Sequence, residues 1–197
     1  MSDKPTVTAT TSSDTLLDNR IIFLSGDFNE DKTKEVINLI IILEAKCPTK
    51  DILMYIDSYG GYVHSLLAIH DVIKHITRCD IATIGIGKQM SCGQMLLISG
   101  TKGKRFATPN SRILLHEISS MTFGKLHEQE IDIAETKKLQ KIIEDMILKY
   151  TKITKHQLAK LMKVDSYIST PEALELGIID NIIQKPTDLY KHPKMNF

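Results

Sequence analysis

A serine and a cysteine stand side by side in "GKQMSCGQMLLISG" (87–100), between an apolar strand-like run and an apolar helix-like one. A serine at a strand-to-helix turn exposes its hydroxyl, and the N–H groups that follow it lack intrahelical partners, so Ser91 has the setting of a nucleophile. The usual nucleophile elbow reads G-x-S-x-G; here Gly93 supplies the second glycine, while Gln89 stands where the first would be. Taken alone, x-S-x-G also describes a plain helix N-cap. Cys92 would need a base beside it and a depressed pKa to act as the nucleophile. Gly60 and Gly61, after "DILMYIDSY", permit positive φ and a close approach of backbone to ligand, so their amides could bind an oxyanion together with the amide after Ser91. A tight strand-to-helix turn would use the same pair. Of the seven histidines, His116 ends the apolar run "RILLH", where a sheet edge can hold the ring rigidly. His70 falls on an apolar helix face and reads as core, and His64, His75, His127, His156 and His192 sit in polar surroundings.

The elements that must position these residues alternate. "RIIFLS" reads as a strand, 31–46 as a helix halted by Pro48, "DILMYID" as a strand, 62–77 as a helix, "DIATIGIG" as a strand and 91–99 as a short buried helix. "KRFAT" and "SRILLH" follow as strands. Val63, Leu66, Leu67, His70 and Ile73 recur at the spacing of one helix face. Regular alternation with apolar strands predicts a mostly parallel sheet covered by helices. Residues 125–150 read as one long helix with a stripe of Leu139, Ile142, Ile143, Met146, Ile147 and Tyr150 and a more polar first half. At about 25 residues against a usual mean of about 11–12, it is expected to protrude and pack on another subunit. Thr154 and Gln157 have capping-box spacing, Pro171 suits a first helical turn, and Gly177 suits a helix exit before a strand.

Bulk properties bound the rest. The chain has 197 residues, 42% of them hydrophobic, with 25 basic against 24 acidic residues and no basic block, which fits one globular domain and points to neither nucleic acid nor a membrane surface as a partner. Cys47, Cys79 and Cys92 lack CxxC spacing, so no zinc cage is expected and a reducing, cytoplasmic setting is. No apolar run reaches the roughly 18 residues of a membrane span. The Thr- and Ser-rich start, residues 1–15, reads as a flexible segment ahead of a domain at 16–197.

"RIIFLSG", "YIDSYGG", "MSCGQMLLISGTKGKRFATPNSRILLH" and "DSYISTPEALELGIID" resemble, in order and nearly in spacing, segments of the Clp protease proteolytic subunit, the ClpP family of self-compartmentalising serine peptidases. The resemblance runs over nearly the whole chain from about Leu16. It implies an α/β fold, the crotonase-like spiral, with the 125–150 helix as a handle through which two heptameric rings stack into a tetradecamer. Residue by residue, it makes Ser91 the nucleophile, His116 the general base and Asp165 the acid that orients the histidine. Gly60, Gly61 and the amide of Cys92 match the oxyanion hole, with the Cys92 side chain facing away as a soft apolar packer. A peptide substrate would lie as an added strand between the Gly61, Tyr62 and Val63 backbone and the segment at Glu117 and Ile118. No metal or cofactor is implied.

The resemblance further implies an endopeptidase that cleaves peptides without ATP and receives unfolded proteins from an AAA+ unfoldase, since the chain has no Walker-type loop of its own. Departures from the family pattern are Tyr59 in place of the turn proline, Glu117-Ile118 after His116, Ser120-Met121 in place of a glycine pair, and Val164 before Asp165. Two other readings stand beside the peptidase: a non-catalytic ring subunit of a mixed complex, against which the intact Ser91, His116 and Asp165 argue, and an acyl-CoA enzyme on the same spiral, which has no need of the three together.

Overall fold

The computed structural model describes residues 12–197. Helix α1 (Ser12–Asp18) opens it, so the flexible start expected over 1–15 overlaps a helix at its last residues, and its first eleven lie outside the described residues. Strand β1 (Ile21–Phe28), helix α2 (Glu30–Lys46), strand β2 (Ile52–Gly61), helix α3 (Val63–Asp71) and strand β3 (Ile81–Met90) follow as two successive β–α–β turns. Asn29 caps α2 by accepting from the Lys32 N–H at 2.8 Å, and Glu30 and Asp31 fill the first turn where the helix dipole favours acid. The helix predicted over 62–77 is not α-helical throughout. Its last stretch, Val72–Ile76, is a π-turn closed by the Thr77 N–H on Val72 O at 2.9 Å.

β1, β2, β3, β4 (Arg105–Ala107) and β7 (Asn181–Ile182) lie side by side and parallel, as the apolar runs predict. Besides β2, β3 pairs with two strands on successive stretches: β4 with Thr83 to Gly85, and β5 (Arg112–Leu115) with Lys88 to Met90. β6 (Ser166–Ser169), which the sequence reading did not assign as a strand, runs antiparallel to β5. The sheet therefore splits past Gly85, and the C-terminal ends of β2, β3 and β5 meet at one place, the position where open α/β sheets hold ligands.

Packing follows the pattern. Leu24, Met54, Ile56, Leu66 and Ile69 are fully buried between the sheet and helices α2, α3 and α4 (Cys92–Ile98), with every residue of α4 buried. Each such aliphatic side chain contributes about 1.5–3 kcal/mol on burial. A smaller cluster of Leu53, Ala82, Ile84, Phe106 and Leu189 covers another part of the sheet. Leu189 comes from α8 (Thr187–Tyr190). Helix α5 (Leu126–Tyr150) buries Ile143, Met146 and Ile147, while its first half is almost wholly exposed. Helices α6 (Lys155–Leu161) and α7 (Thr170–Glu175) start on the capping boxes of Thr154 with Gln157 and of Ser169 with Glu172. His70 is buried as expected, bonded to Ser99 Oγ at 2.8 Å and against the Tyr150 ring. His192, read as lying in polar surroundings, does have the Asn181 amide 3.2 Å from its Nε2, and it also sets its ring edge-on to Phe106.

Candidate active site

Ser91 sits between β3 and α4 at φ 53° and ψ −119°, a conformation that costs a non-glycine residue about 1–3 kcal/mol. Neighbouring bonds hold it there. Its N–H donates to Leu114 O at 3.0 Å on the adjacent strand, and its carbonyl accepts from the Met95 N–H at 3.2 Å. Gln89, at the place of the elbow's first glycine, is buried and plugs the irregular register between β2 and β3: its Nε2 donates to Ile56 O at 2.9 Å and to Ile86 O at 2.6 Å. Gly93 supplies the second small position, since a Cβ there would meet Ser58 O at 3.0 Å.

The Gly60-Gly61 pair forms the end of β2 and not a separate turn. Gly60, at φ +109°, lies so close to the elbow that a Cβ on it would stand 2.8 Å from Ser91 Cβ and 3.1 Å from Cys92 N. Its N–H donates to Ser58 Oγ at 3.0 Å, and Ser58 in turn donates to Gly26 O, so Ser58 pins the turn that lacks a proline. Lys88 braces it from outside, with Nζ 2.9 Å from Asp57 Oδ1 and 4.6 Å from the centre of the Tyr59 ring. Gly61 turns its carbonyl toward the elbow and accepts from Cys92 Sγ at 3.2 Å. Tyr62 is exposed and gives its N–H to Phe28 O at 2.9 Å; Val63 is half-buried.

His116 follows the last residue of β5, next to the strand end that receives the Ser91 N–H. Leu115 pairs with Ser166 in the antiparallel β5–β6 ladder, so one step further along the ladder sets His116 opposite Asp165. Their Nδ1 and Oδ1 atoms are 3.8 Å apart, beyond a hydrogen bond, with the Asp165 side chain 66% exposed and that of His116 22%. Ser91 and His116 line one cavity of about 120 Å³, together with Gly61, Val63, Glu117 and Ile118, and among the described residues no hydrogen bond joins the serine hydroxyl to the ring. The Ile118 N–H is held by Gln140 Oε1 of α5 at 2.9 Å.

The Clp protease family model matches residues 4–186. The chain belongs to the Clp protease family. It is therefore a protease subunit of a serine-peptidase family, and the mixed α/β fold with a mostly parallel sheet agrees with that membership.

In this Clp protease the two adjacent candidates of the elbow differ sharply. Burial pushes the Cys92 thiol up to about 11, against smaller opposing pulls from the Gly61 backbone and the Ser91 hydroxyl, so the sulfur stays protonated and packs in the core. A thiol that is not ionised is a poor nucleophile. Among the described residues no group of three or more His, Cys, Asp or Glu side chains is arranged to hold a metal, and no helix is long and apolar enough to cross a membrane. Two participants escaped sequence reasoning: Ser58 and Gln140. Each acts through a side-chain hydroxyl or amide bonded to backbone, and polar residues of this kind carry no periodic signal.

Proposed function

We propose that the chain is an active serine endopeptidase subunit in which Ser91 attacks, His116 accepts its proton and returns it to the leaving amine, and Asp165 orients the imidazole. Attack on a peptide carbonyl forms a tetrahedral oxyanion and then an acyl ester on Ser91 Oγ with release of the amine; water, deprotonated by His116, frees the acid and restores the serine. The Cys92 N–H, in the first turn of α4, would donate to that oxyanion, and the Gly61 N–H is the second candidate donor. Gly60, whose own N–H is engaged by Ser58, contributes the close approach that lets backbone reach it. Tyr62, Val63, Glu117 and Ile118 flank the groove in which an extended substrate would add as a strand. The observation that carries the reading is the strained Ser91, held facing a cavity it shares with His116.

The wider reading takes the fold as the crotonase-like spiral, α5 as the handle, and the subunits as heptameric rings stacked into a cytoplasmic tetradecamer. That assembly cleaves peptides without ATP and takes unfolded proteins from an AAA+ unfoldase. The exposed apolar residues of the first half of α5, Leu126, Ile131 and Ile133, support a subunit contact there. A second reading, a ring subunit of mainly architectural role, is favoured by the 3.8 Å separation of His116 and Asp165. A fluorophosphonate probe on the assembled protein, followed by mass spectrometry, separates them. Label on Ser91 that disappears in His116→Ala supports the peptidase; an assembled ring that takes no label supports the scaffold, and label on Cys92 overturns the assignment of the nucleophile.

A further inference from the structure

A second cavity, of about 350 Å³, shares no lining residue with the cavity of Ser91. It lies where α4 and α5 end, beside the start of β4 and the Gly177 exit of α7. Lys74, Lys102, Lys149, Lys152 and Arg105 line it against one carboxylate, Asp180. Arg105 is already committed: its guanidinium grips both Asp180 oxygens, at 2.9 and 2.7 Å, and donates from Nη1 to Tyr150 O at 2.7 Å. None of the four lysines pairs with a carboxylate among the described residues. Lys74 Nζ donates to Gly100 O at 3.1 Å, and it shares the Tyr150 ring with Lys149, the two ammonium nitrogens lying 4.7 and 5.0 Å from the ring centre. Burial, with Arg105 and Lys149 adding repulsion, lowers the Lys74 pKa to about 8, against a smaller opposing pull from Asp80. Helix ends offset part of this charge. The C-termini of α4, α5 and α7 each supply at most about half a negative charge, so about two to three positive charges stay unanswered.

We infer that this cavity binds the diphosphate group of a small molecule, held by Lys74 and Lys149 beside the Tyr150 ring with Lys102 and Lys152 as further contacts. This does not rest on Ser91 as nucleophile. The volume falls at the lower end of the roughly 300–1,000 Å³ of small-ligand sites. One terminal phosphate carries about 1.5 to 2 negative charges, short of the excess, and a second phosphoryl group meets it. A carboxylate ligand is recognised best by the planar fork of an arginine, and the fork of Arg105 is taken; free ammonium groups are point charges that suit phosphoryl oxygens. Nucleic acid would need a basic stripe running beyond the recess, and the chain, at net charge +1, has no basic block.

The test is calorimetric titration of the assembled full chain at pH 7, where Lys74 is charged, with pyrophosphate, orthophosphate and ADP as probes. Pyrophosphate is expected to bind at least about tenfold more tightly than orthophosphate, and Lys74→Gln and Lys149→Gln are each expected to weaken it by about tenfold. Lys34→Gln, which removes the same charge from an exposed position on α2, should leave the affinity within about twofold. ADP tells the source: affinity equal to that of pyrophosphate supports a nucleotide-borne diphosphate, and affinity about tenfold weaker supports the free one. No binding of pyrophosphate at about 1 mM, equal affinities for pyrophosphate and orthophosphate, or an equal loss in Lys34→Gln overturns the inference. Should Lys74→Gln fail to assemble, acetylation of wild-type lysines read by mass spectrometry decides. Protection of Lys74 and Lys149 by pyrophosphate, with Lys34 unprotected, supports the site; uniform protection, or none, overturns it.

Discussion

Replacing Gly60 by alanine tests whether the elbow depends on backbone approaching backbone. The added Cβ would stand 2.8 Å from Ser91 Cβ and 3.0 Å from Met90 O, where ordinary contact begins at 3.4 Å, so the two segments must part by about 0.6 Å. The φ of +109° adds strain of about 1–3 kcal/mol for any residue with a Cβ. Displacement of a reacting group by about 1 Å can cost 10²-fold, so acylation of Ser91 is expected to slow by about 10- to 10²-fold. Gly26→Ala is the matched control: its φ is +83°, but a Cβ there meets nothing within 4 Å. Both variants should lose stability in urea, Gly60→Ala the more because the crowding adds to the strain at φ, and only Gly60→Ala should lose acylation rate, read as the rate of fluorophosphonate labelling by intact mass. Labelling of Gly60→Ala within about threefold of wild type, or an equal loss in Gly26→Ala, would refute the reasoning.

His70 is held neutral by burial, its pKa lowered from 6.5 to about 4, with Lys74 adding to the effect. The unfolded chain binds the proton first, so stability is complete above about pH 6.5 and declines by roughly 3 kcal/mol as pH falls toward 4; urea midpoints at pH 7 and pH 5 should show the drop, and His70→Gln should flatten it. At pH 8 iodoacetamide should modify Cys47, whose pKa is lowered by its hydrogen bond to Thr49, about 10²-fold faster than Cys92, as peptide mapping over time would reveal. Equal rates at the two cysteines would contradict the buried, protonated state of Cys92. Asp165→Asn should slow peptide cleavage by about 10- to 10²-fold, less than the roughly 10⁴-fold of a triad whose aspartate is buried and bonded, because this carboxylate is exposed and 3.8 Å from the ring. A loss near 10⁴-fold would mean that the pair is closed in the working enzyme.

The α/β alternation, the long 125–150 helix and the capping box of Thr154 with Gln157 were legible because each rests on local periodicity or on a side chain satisfying its own helix terminus. The family resemblance marked Ser91, His116 and Asp165, and the structure brings the three to neighbouring strand ends. What stayed hidden depends on partners far along the chain. β6 is four residues whose one partner strand among the described residues is β5, and nothing within "SYIS" reveals that pairing. Gln89 looked like a defect in the elbow motif and instead closes the gap in the β2–β3 register from within. The expectation that the Gly60 N–H faces the oxyanion overlooked Ser58, whose hydroxyl takes that N–H two residues away. The contact of His192 with Phe106 went unread because a ring packing from a distant segment leaves no trace in its own neighbours.

The distribution of rigid and loose contacts explains why the nucleophile is better fixed than its acid. Ser91 is locked by backbone on three sides: Leu114 O, the Met95 N–H and the close face of Gly60. His116 and Asp165 are set only by the last rung of a two-strand ladder, beyond which each chain leaves the sheet. The segment after His116 finds its next anchor at Ile118, and that anchor is Gln140 on α5. Two turns and more before Gln140, the same helix carries Ile131 and Ile133 in solvent, and Phe123 and Met121 lie exposed just ahead of it. In the proposed tetradecamer, a subunit of the opposite ring covering those side chains would fix α5, and through Gln140 it would fix the peptide two residues from His116. The catalytic histidine would then be the member of the triad most sensitive to assembly, and the serine the least.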